Sequence, residues 1–225
     1  MHAAFYSVKL YPFMDKVLAL IGQTDAAFYL TGGTALGRHY LHHRHSDDLD
    51  LFVNQAPDFR DQVKLALLAL HRGGIAFEPG TASDTFVRIM ARQEETTLKI
   101  DFINDVAFHY GDFQEAPFYP RIDHWRNILS NKLCAPLSRR REPKDMADIL
   151  AIARRFAFAW PDIFREARQK DLWVEPLGIS RMIQEFPVGQ MGVVKWVQPV
   201  DPSAAAALMT LSLDIFHGRI NSLCQ

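Results

Sequence analysis

The chain has 225 residues, 48% of them hydrophobic, and a formal net charge of −1, which allows a sizeable core in one large domain or two small ones and excludes any global attraction to nucleic acid or anionic membrane. Two isolated cysteines, Cys134 and Cys224, exclude a disulfide framework and a Cys-ligated zinc site. No apolar run approaches the ~20 residues that span a bilayer, and Met1 to Tyr6 lacks the basic start and cleavage site of a signal peptide, so the expectation is a soluble cytoplasmic protein with no membrane partner.

In chain order, Val8 to Ile21 has apolar residues at helical spacing and ends at Gly22, a C-terminal cap. Ala26 to Leu30 reads as a short buried strand closed by the turn Gly32-Gly33, and Ala35 to His42 is compatible with a helix. A second apolar strand, Leu49 to Val53, carries acids at Asp48 and Asp50. Side chains two apart on a strand share a face, so these carboxylates converge while Leu49 and Leu51 enter the core. They repel each other unless one is protonated or a cation sits between them. Oxygen-only ligands suit Mg²⁺ or Mn²⁺ better than zinc. A glycine turn ahead of a helix is also where backbone N–H groups receive phosphate.

His39, His42, His43 and His45 have the spacing of a zinc site but no Cys or carboxylate nearby to complete it. Anion or base-edge binding is the alternative. Arg44 is a candidate for a triphosphate contact, with a surface salt bridge as the other reading.

Pro57 opens a helix from Asp58 to His71, with Gly73-Gly74 as its stop. Strand-like runs follow at Ile75 to Glu78, Thr85 to Ala91 and Thr96 to Ile103. In the last, Leu98, Ile100 and Phe102 share one face and Lys99, Asp101 and Ile103 the other. Asp101 is a costly acid to bury unless it is paired or ligates a cation. A metal role is favoured, and a salt bridge with Lys99 or Arg88 is the alternative. Phe108 to Arg121 reads as a connection between two halves because Gly111, Pro117 and Pro120 interrupt it.

Beyond it, His124 to Leu137 reads as a helix carrying Lys132, and Glu142-Pro143 begins another running from Lys144 towards Ala159. Asp145 and Asp148, three apart, share a face of the latter. Helical stretches around Ile163 to Leu172 and Ala204 to Ile220 flank a middle punctuated by Gly and Pro, with no motif. The run Arg139-Arg140-Arg141, with Arg121 and Arg126, is the best local patch for a phosphate backbone, and a solvated helix connector is the equal alternative.

The order strand, Gly-Gly-Thr, helix, strand with Asp-x-Asp resembles the nucleotidyltransferases of the DNA polymerase β superfamily. Within it, Leu30-Thr31-Gly32-Gly33-Thr34-Ala35-Leu36 followed by Arg44-His45-Ser46-Asp47-Asp48-Leu49-Asp50 looks like the AbiEii/AbiGii toxin family. Lys132, the basic turn and Lys144-Asp145-Met146-Ala147-Asp148 extend the likeness over roughly Phe28 to Ala153. Lys144 stands where Arg is more usual, and Asp47 is an extra acid.

The resemblance implies an α/β (α+β) protein: a polymerase-β-like core with a mixed sheet in residues 1–118, then a helical region, 119–225, completing the active-site cleft. It implies Mg²⁺ or Mn²⁺ on Asp48, Asp50 and Asp101, with an NTP as substrate. Gly32, Gly33, Thr34, Arg44, Ser46, Lys132 and Asp145 would hold the nucleotide. Asp48, Asp50, Asp101, Lys132 and Asp148 would be catalytic, Asp148 by positioning Lys132 or the acceptor. The activity implied is that of a toxin moving NMP onto RNA, a tRNA 3′ end among the candidates, with a cognate antitoxin as partner. Nucleotidylation of an antibiotic or a protein, or a non-catalytic nucleotide-binding module, are the alternatives.

Overall fold

In the computed structural model, which describes residues 2–138, 142–199 and 201–224, the chain divides into two units. One consists of residues 1–35 and 45–123, the other of residues 36–44 and 124–225. The expected basic run at Arg139-Arg140-Arg141 lies outside the described residues.

The first unit begins with α1 (His2–Phe5), a π-helical turn (Tyr6–Leu10) and α2 (Tyr11–Gly22). Pro12 follows directly on the π-helical turn with helical backbone on both sides, so its missing N–H removes one donor at the point where the hydrogen-bond pattern changes from π to α. The helix buries Phe13, Met14, Val17, Leu18 and Ile21, a stripe at the 3.6-residue period. Next come β1 (Tyr29–Thr31), α3 (Gly32–Ala35) and, after the excursion into the second unit, β2 (Asp48–Asn54). Then follow α4 (Phe59–Arg72), β3 (Ala76–Ala82), β4 (Phe86–Gln93), β5 (Thr96–Asp105), β6 (Gln114–Ala116) and β7 (Tyr119–Ile122). The stop after α4 is as read: Gly74 takes φ +72°, and the N–H groups of Gly73, Gly74 and Ile75 close onto the last carbonyls of the helix.

The seven strands form one sheet in the order β3-β4-β5-β2-β1-β7-β6. β2 pairs β5 and β1 pairs β7 in parallel, and the other neighbours are antiparallel. The sheet is therefore mixed, as the fold class requires. One face is apolar: Leu49, Leu51 and Val53, Leu98, Ile100 and Phe102, and Val87, Ile89 and Ala91 are all buried. Each such Val or Leu side chain is worth about 1.5–3 kcal/mol. The alternating residues, Asp48, Asp50, Lys99, Asp101 and Arg88 among them, occupy the other face.

The segment read as a connection, Phe108 to Arg121, instead supplies two strands. Proline argues against a strand because it cannot donate to the ladder. Here Pro120 falls at an irregularity, since Gln114 aligns with Ile122 but Ala116 with Tyr119, which leaves one extra residue on β7.

The second unit is helical: α5 (Trp125–Ser138), α6 (Pro143–Arg155), α7 (Trp160–Lys170), α8 (Pro176–Gln184), a 3₁₀ turn (Val188–Val193) and α9 (Ala204–Phe216). Its core includes Ile128, Leu129, Leu133, Ile149, Ile152, Trp160, Ile163, Ile183 and Leu211, all at most 1% exposed. α6 stops at Arg155, short of Ala159, because Phe156 turns to extended backbone and stacks flat on Trp125 at 4.2 Å. Phe158 then meets Trp160 edge to face at 4.9 Å. Aromatic packing here outweighs helix continuation. α8 went unread because Pro176 and Gly178 look like loop residues, yet proline is at home in a first helical turn. No described helix is long and apolar enough to cross a membrane.

Candidate active site

The first unit gathers its acids by register. Parallel pairing sets Asp50 beside Asp101 and Asp48 beside Lys99. Antiparallel pairing sets Thr31 beside Asp50 and Arg88 beside Asp101. Side chains of paired residues lie on the same face, so Thr31, Asp50, Asp101 and Arg88 form one row across four strands, with Asp48 and Lys99 a step away. Among the acids only Asp48 and Asp50 are close in sequence.

Each carboxylate in this row has partners. Arg88 grips Asp101 with two bonds, Nε and Nη2 each 2.7 Å from a carboxylate oxygen. Lys99 Nζ lies 2.7 Å from Asp48 Oδ2 and 3.7 Å from Asp101 Oδ2. Both cations named as the salt-bridge alternative for Asp101 are thus engaged with it. Ser46 Oγ donates to Asp48 Oδ1 at 3.2 Å. Burial alone would lower the Lys99 pKa, but the hydrogen bond and charge of Asp48, with Asp101 and Asp50 behind them, hold it above its ordinary value.

The glycine turn meets these acids directly. Gly32 takes φ +67°, and a Cβ there would stand 2.5 Å from Asp50 Oδ2. Only a residue with no side chain fits that backbone and that approach. Thr34 donates its hydroxyl to the Asp48 carbonyl at 2.5 Å, tying α3 to β2. The extra acid, Asp47, accepts from Tyr6 at 2.5 Å, and Tyr6 stacks flat on His45 at 4.0 Å. His45 Nδ1 is also 3.1 Å from the Tyr11 hydroxyl.

The three carboxylates offer oxygen alone, the donor type of a hard divalent cation, and Gly32 leaves open the space that a Cβ would fill beside Asp50. Among the described residues no three His, Cys, Asp or Glu side chains form a ready cage, and Lys99 and Arg88 stand at oxygens of Asp48 and Asp101. The donor set fits Mg²⁺ or Mn²⁺ in its chemistry, on condition that a side-chain cation yields its place.

The second unit holds the other predicted residues around Asp148, which is fully buried. Arg44 donates to both of its oxygens, from Nε at 2.6 Å and Nη2 at 2.7 Å. Lys132 Nζ is 2.7 Å from Asp148 Oδ2 and 2.5 Å from Asp145 Oδ1. His43 Nε2 is 2.8 Å from Asp148 Oδ1. α5 supplies Lys132, and α6 supplies both acids from one face. Burial would raise the Asp148 pKa, but Lys132, Arg44 and His43 together hold it well below the usual carboxylate range. Lys132 is raised in turn, since Asp148 and Asp145 overcome its burial and the repulsion of Arg44. Arg44, a candidate triphosphate contact with a surface salt bridge as the other reading, is 5% exposed, so the salt bridge it makes is a buried one.

Two arginines of the expected basic patch are spent inside the fold. Arg121 donates to the carbonyls of Phe28 and Ala26, and Arg126 pairs with Glu166. Several residues around the acids escaped sequence reading. Lys99 was placed on the Asp101 face by alternation, but its pairing with Asp48 depends on the parallel register. Asp123, also fully buried, extends the row by accepting from Thr31 at 2.5 Å and from His109 at 2.9 Å. Its only sequence signal is an acid after an apolar strand.

Two solved structures share this architecture. The crystal structure of JHP933 from Helicobacter pylori matches with a TM-score of 0.67 and 19% identity, covering 94% of this chain and 92% of that one. A second H. pylori protein, described provisionally as a nucleotidyltransferase, matches with a TM-score of 0.61 and 21% identity, covering 96% of each chain. No protein of curated function matches. The family model described as "Nucleotidyl transferase AbiEii toxin, Type IV TA system" matches residues 18–184. With well over half its length matched, the chain belongs to the AbiEii toxin family of nucleotidyltransferases.

Proposed function

We propose that this protein moves a nucleotidyl group from an NTP to a hydroxyl of RNA, with tRNA the favoured acceptor, as the toxin of a toxin–antitoxin pair. The observation that carries the reading is the row of Asp48, Asp50 and Asp101 on one sheet face, closed at one end by Gly32.

In this reaction the acceptor hydroxyl oxygen attacks the α-phosphorus of the NTP and gives up its proton to water. The bond from that phosphorus to the bridging oxygen breaks, and pyrophosphate leaves. Asp48, Asp50 and Asp101 would hold Mg²⁺ or Mn²⁺, which when bound supplies positive charge to the attacking and leaving oxygens. The Gly32-Gly33 backbone would receive phosphate oxygens, because at Gly32 no side chain stands between the backbone and Asp50. Thr34 and Ser46 would act by fixing the Asp48 strand, through the bonds each makes to Asp48. Lys132 and Arg44 enter the proposal as phosphate-pairing cations, and Asp145 and Asp148 as the acids that position them. Proteins that transfer nucleotides through such charges work by positioning and electrostatics more than by covalent chemistry.

Incubation with each α-labelled NTP and Mg²⁺, against total tRNA, other RNA, protein lysate and aminoglycosides in parallel, tests the acceptor. Label appearing on RNA, and lost in Asp50→Asn, is the expected result. Label confined to protein or to the small molecules would overturn the RNA assignment.

A further inference from the structure

Lys99 has no part in the transfer as proposed, yet its ammonium stands among the acids. It reaches Asp48 at 2.7 Å and Asp101 at 3.7 Å, on the face where a divalent cation would bind. Arg88 closes the same row from β4 with both of its bonds on Asp101. Neither contact is accidental to the fold, because strand register sets Lys99 opposite Asp48 and Arg88 opposite Asp101.

Three carboxylates on adjacent positions of one sheet face repel unless cations lie between them. We propose that Lys99 is a built-in, displaceable counter-cation: it holds the acid row together without a metal, and it sets the affinity for a divalent cation by competing for Asp48 and Asp101. This inference rests on the metal-dependent reading above.

Charge balance favours displacement of the lysine and retention of the arginine. Three carboxylates against one guanidinium and one divalent ion come to zero once the ammonium withdraws. With both side-chain cations in place, the loaded row would carry an excess positive charge. Geometry agrees with that division of labour. Arg88 is locked by two parallel bonds, whereas Lys99 meets each acid through a single point charge on a flexible four-carbon stem. Its side chain is 31% exposed, so the ammonium has solvent to withdraw into; Arg88 is 40% exposed, so it is the two-bond grip on Asp101, and not burial, that retains the guanidinium.

Mn²⁺ binding measured by electron paramagnetic resonance, together with thermal melting with and without Mn²⁺, tests this on wild type, Lys99→Met, Lys99→Arg and Asp50→Asn. Lys99→Met keeps the stem and removes the charge. It is expected to bind Mn²⁺ about tenfold tighter than wild type, to melt earlier without metal, and to gain more from Mn²⁺. Lys99→Arg, which keeps the charge and adds a second bond, is expected to bind no tighter than wild type, and it serves if the methionine variant does not fold. Unchanged or weaker Mn²⁺ binding in Lys99→Met, with binding still lost in Asp50→Asn, would overturn the role of Lys99 and leave the metal reading standing. Absence of Mn²⁺ binding in every variant, or binding that survives Asp50→Asn, would overturn both.

Discussion

Both units of this protein pair acids with cations, but they do so in different surroundings. In the first, Lys99 and Arg88 keep 31% and 40% of their side chains exposed. In the second, the Asp148 side chain has no exposure and those of its partners Arg44 and Lys132 have 5% and 10%. A charge that keeps contact with water can be exchanged for another at small cost. A charge sealed away cannot, because breaking a buried pair strands an ion and typically costs about 3–5 kcal/mol. Similar ion pairs thus do different work: the acid row is poised to exchange Lys99 for a metal, and the Asp148 cluster holds helices α5 and α6, the segment ending at Arg44 and the cations proposed to meet phosphate in one arrangement.

The largest expected effect lies on the exchangeable side. Asp50→Asn should lower nucleotide transfer by about 10³-fold, the scale of several kcal/mol lost from metal-borne charge stabilisation, while the melting temperature stays within about 2 °C. Asp148→Ala should show the opposite profile in stability, losing about 3–5 kcal/mol and so melting roughly 10 °C earlier for a chain of this size. Lys132→Met sharpens the contrast. If Lys132 serves phosphate as well as Asp148, its transfer rate at low temperature falls severely with NTP affinity. If it serves only the cluster, the rate stays near normal and only the melting temperature drops.

A smaller effect is expected at Gly32→Ala, which forces an alanine into positive φ at a cost of about 1–2 kcal/mol and pushes against Asp50 Oδ2. Transfer should fall more than stability, and Gly189→Ala, where a Cβ meets nothing within 4 Å, should change neither. pH separates the two regions more gently. Asp148 has a folded pKa below its unfolded one, so its contribution is complete above about pH 4 and is lost as pH falls through the folded value. Lys132 is raised, so its contribution is complete below about pH 10 and is lost as pH climbs past that. Urea unfolding of wild type between pH 3 and 7 should therefore show a steeper acid loss than Asp148→Asn.

Much of this was legible in the chain itself. Alternation in Asp48 to Val53 and Thr96 to Ile103 assigned each acid to its face, and the buried pattern of β2 agrees. Gly32 read as a turn. Alternation cannot say which strands become neighbours, so the meeting of Asp50 with Asp101, and of Asp48 with Lys99, waited on the parallel pairing of β2 with β5. β7 was hidden by Pro120, whose place in an irregular pairing has no sequence signature. The Arg44–Asp148 pair was hidden for a related reason: residues 36–44 leave the first unit to join the second, and nothing local in Arg44 announces burial.

The most direct test of the central claim is the transfer of label from an α-labelled NTP to tRNA by wild type and Asp50→Asn, measured on samples whose melting curves have been recorded. Wild type is expected to transfer label, Asp50→Asn to lose about 10³-fold of that transfer, and the two melting curves to superimpose. Full transfer by a folded Asp50→Asn variant would contradict that claim.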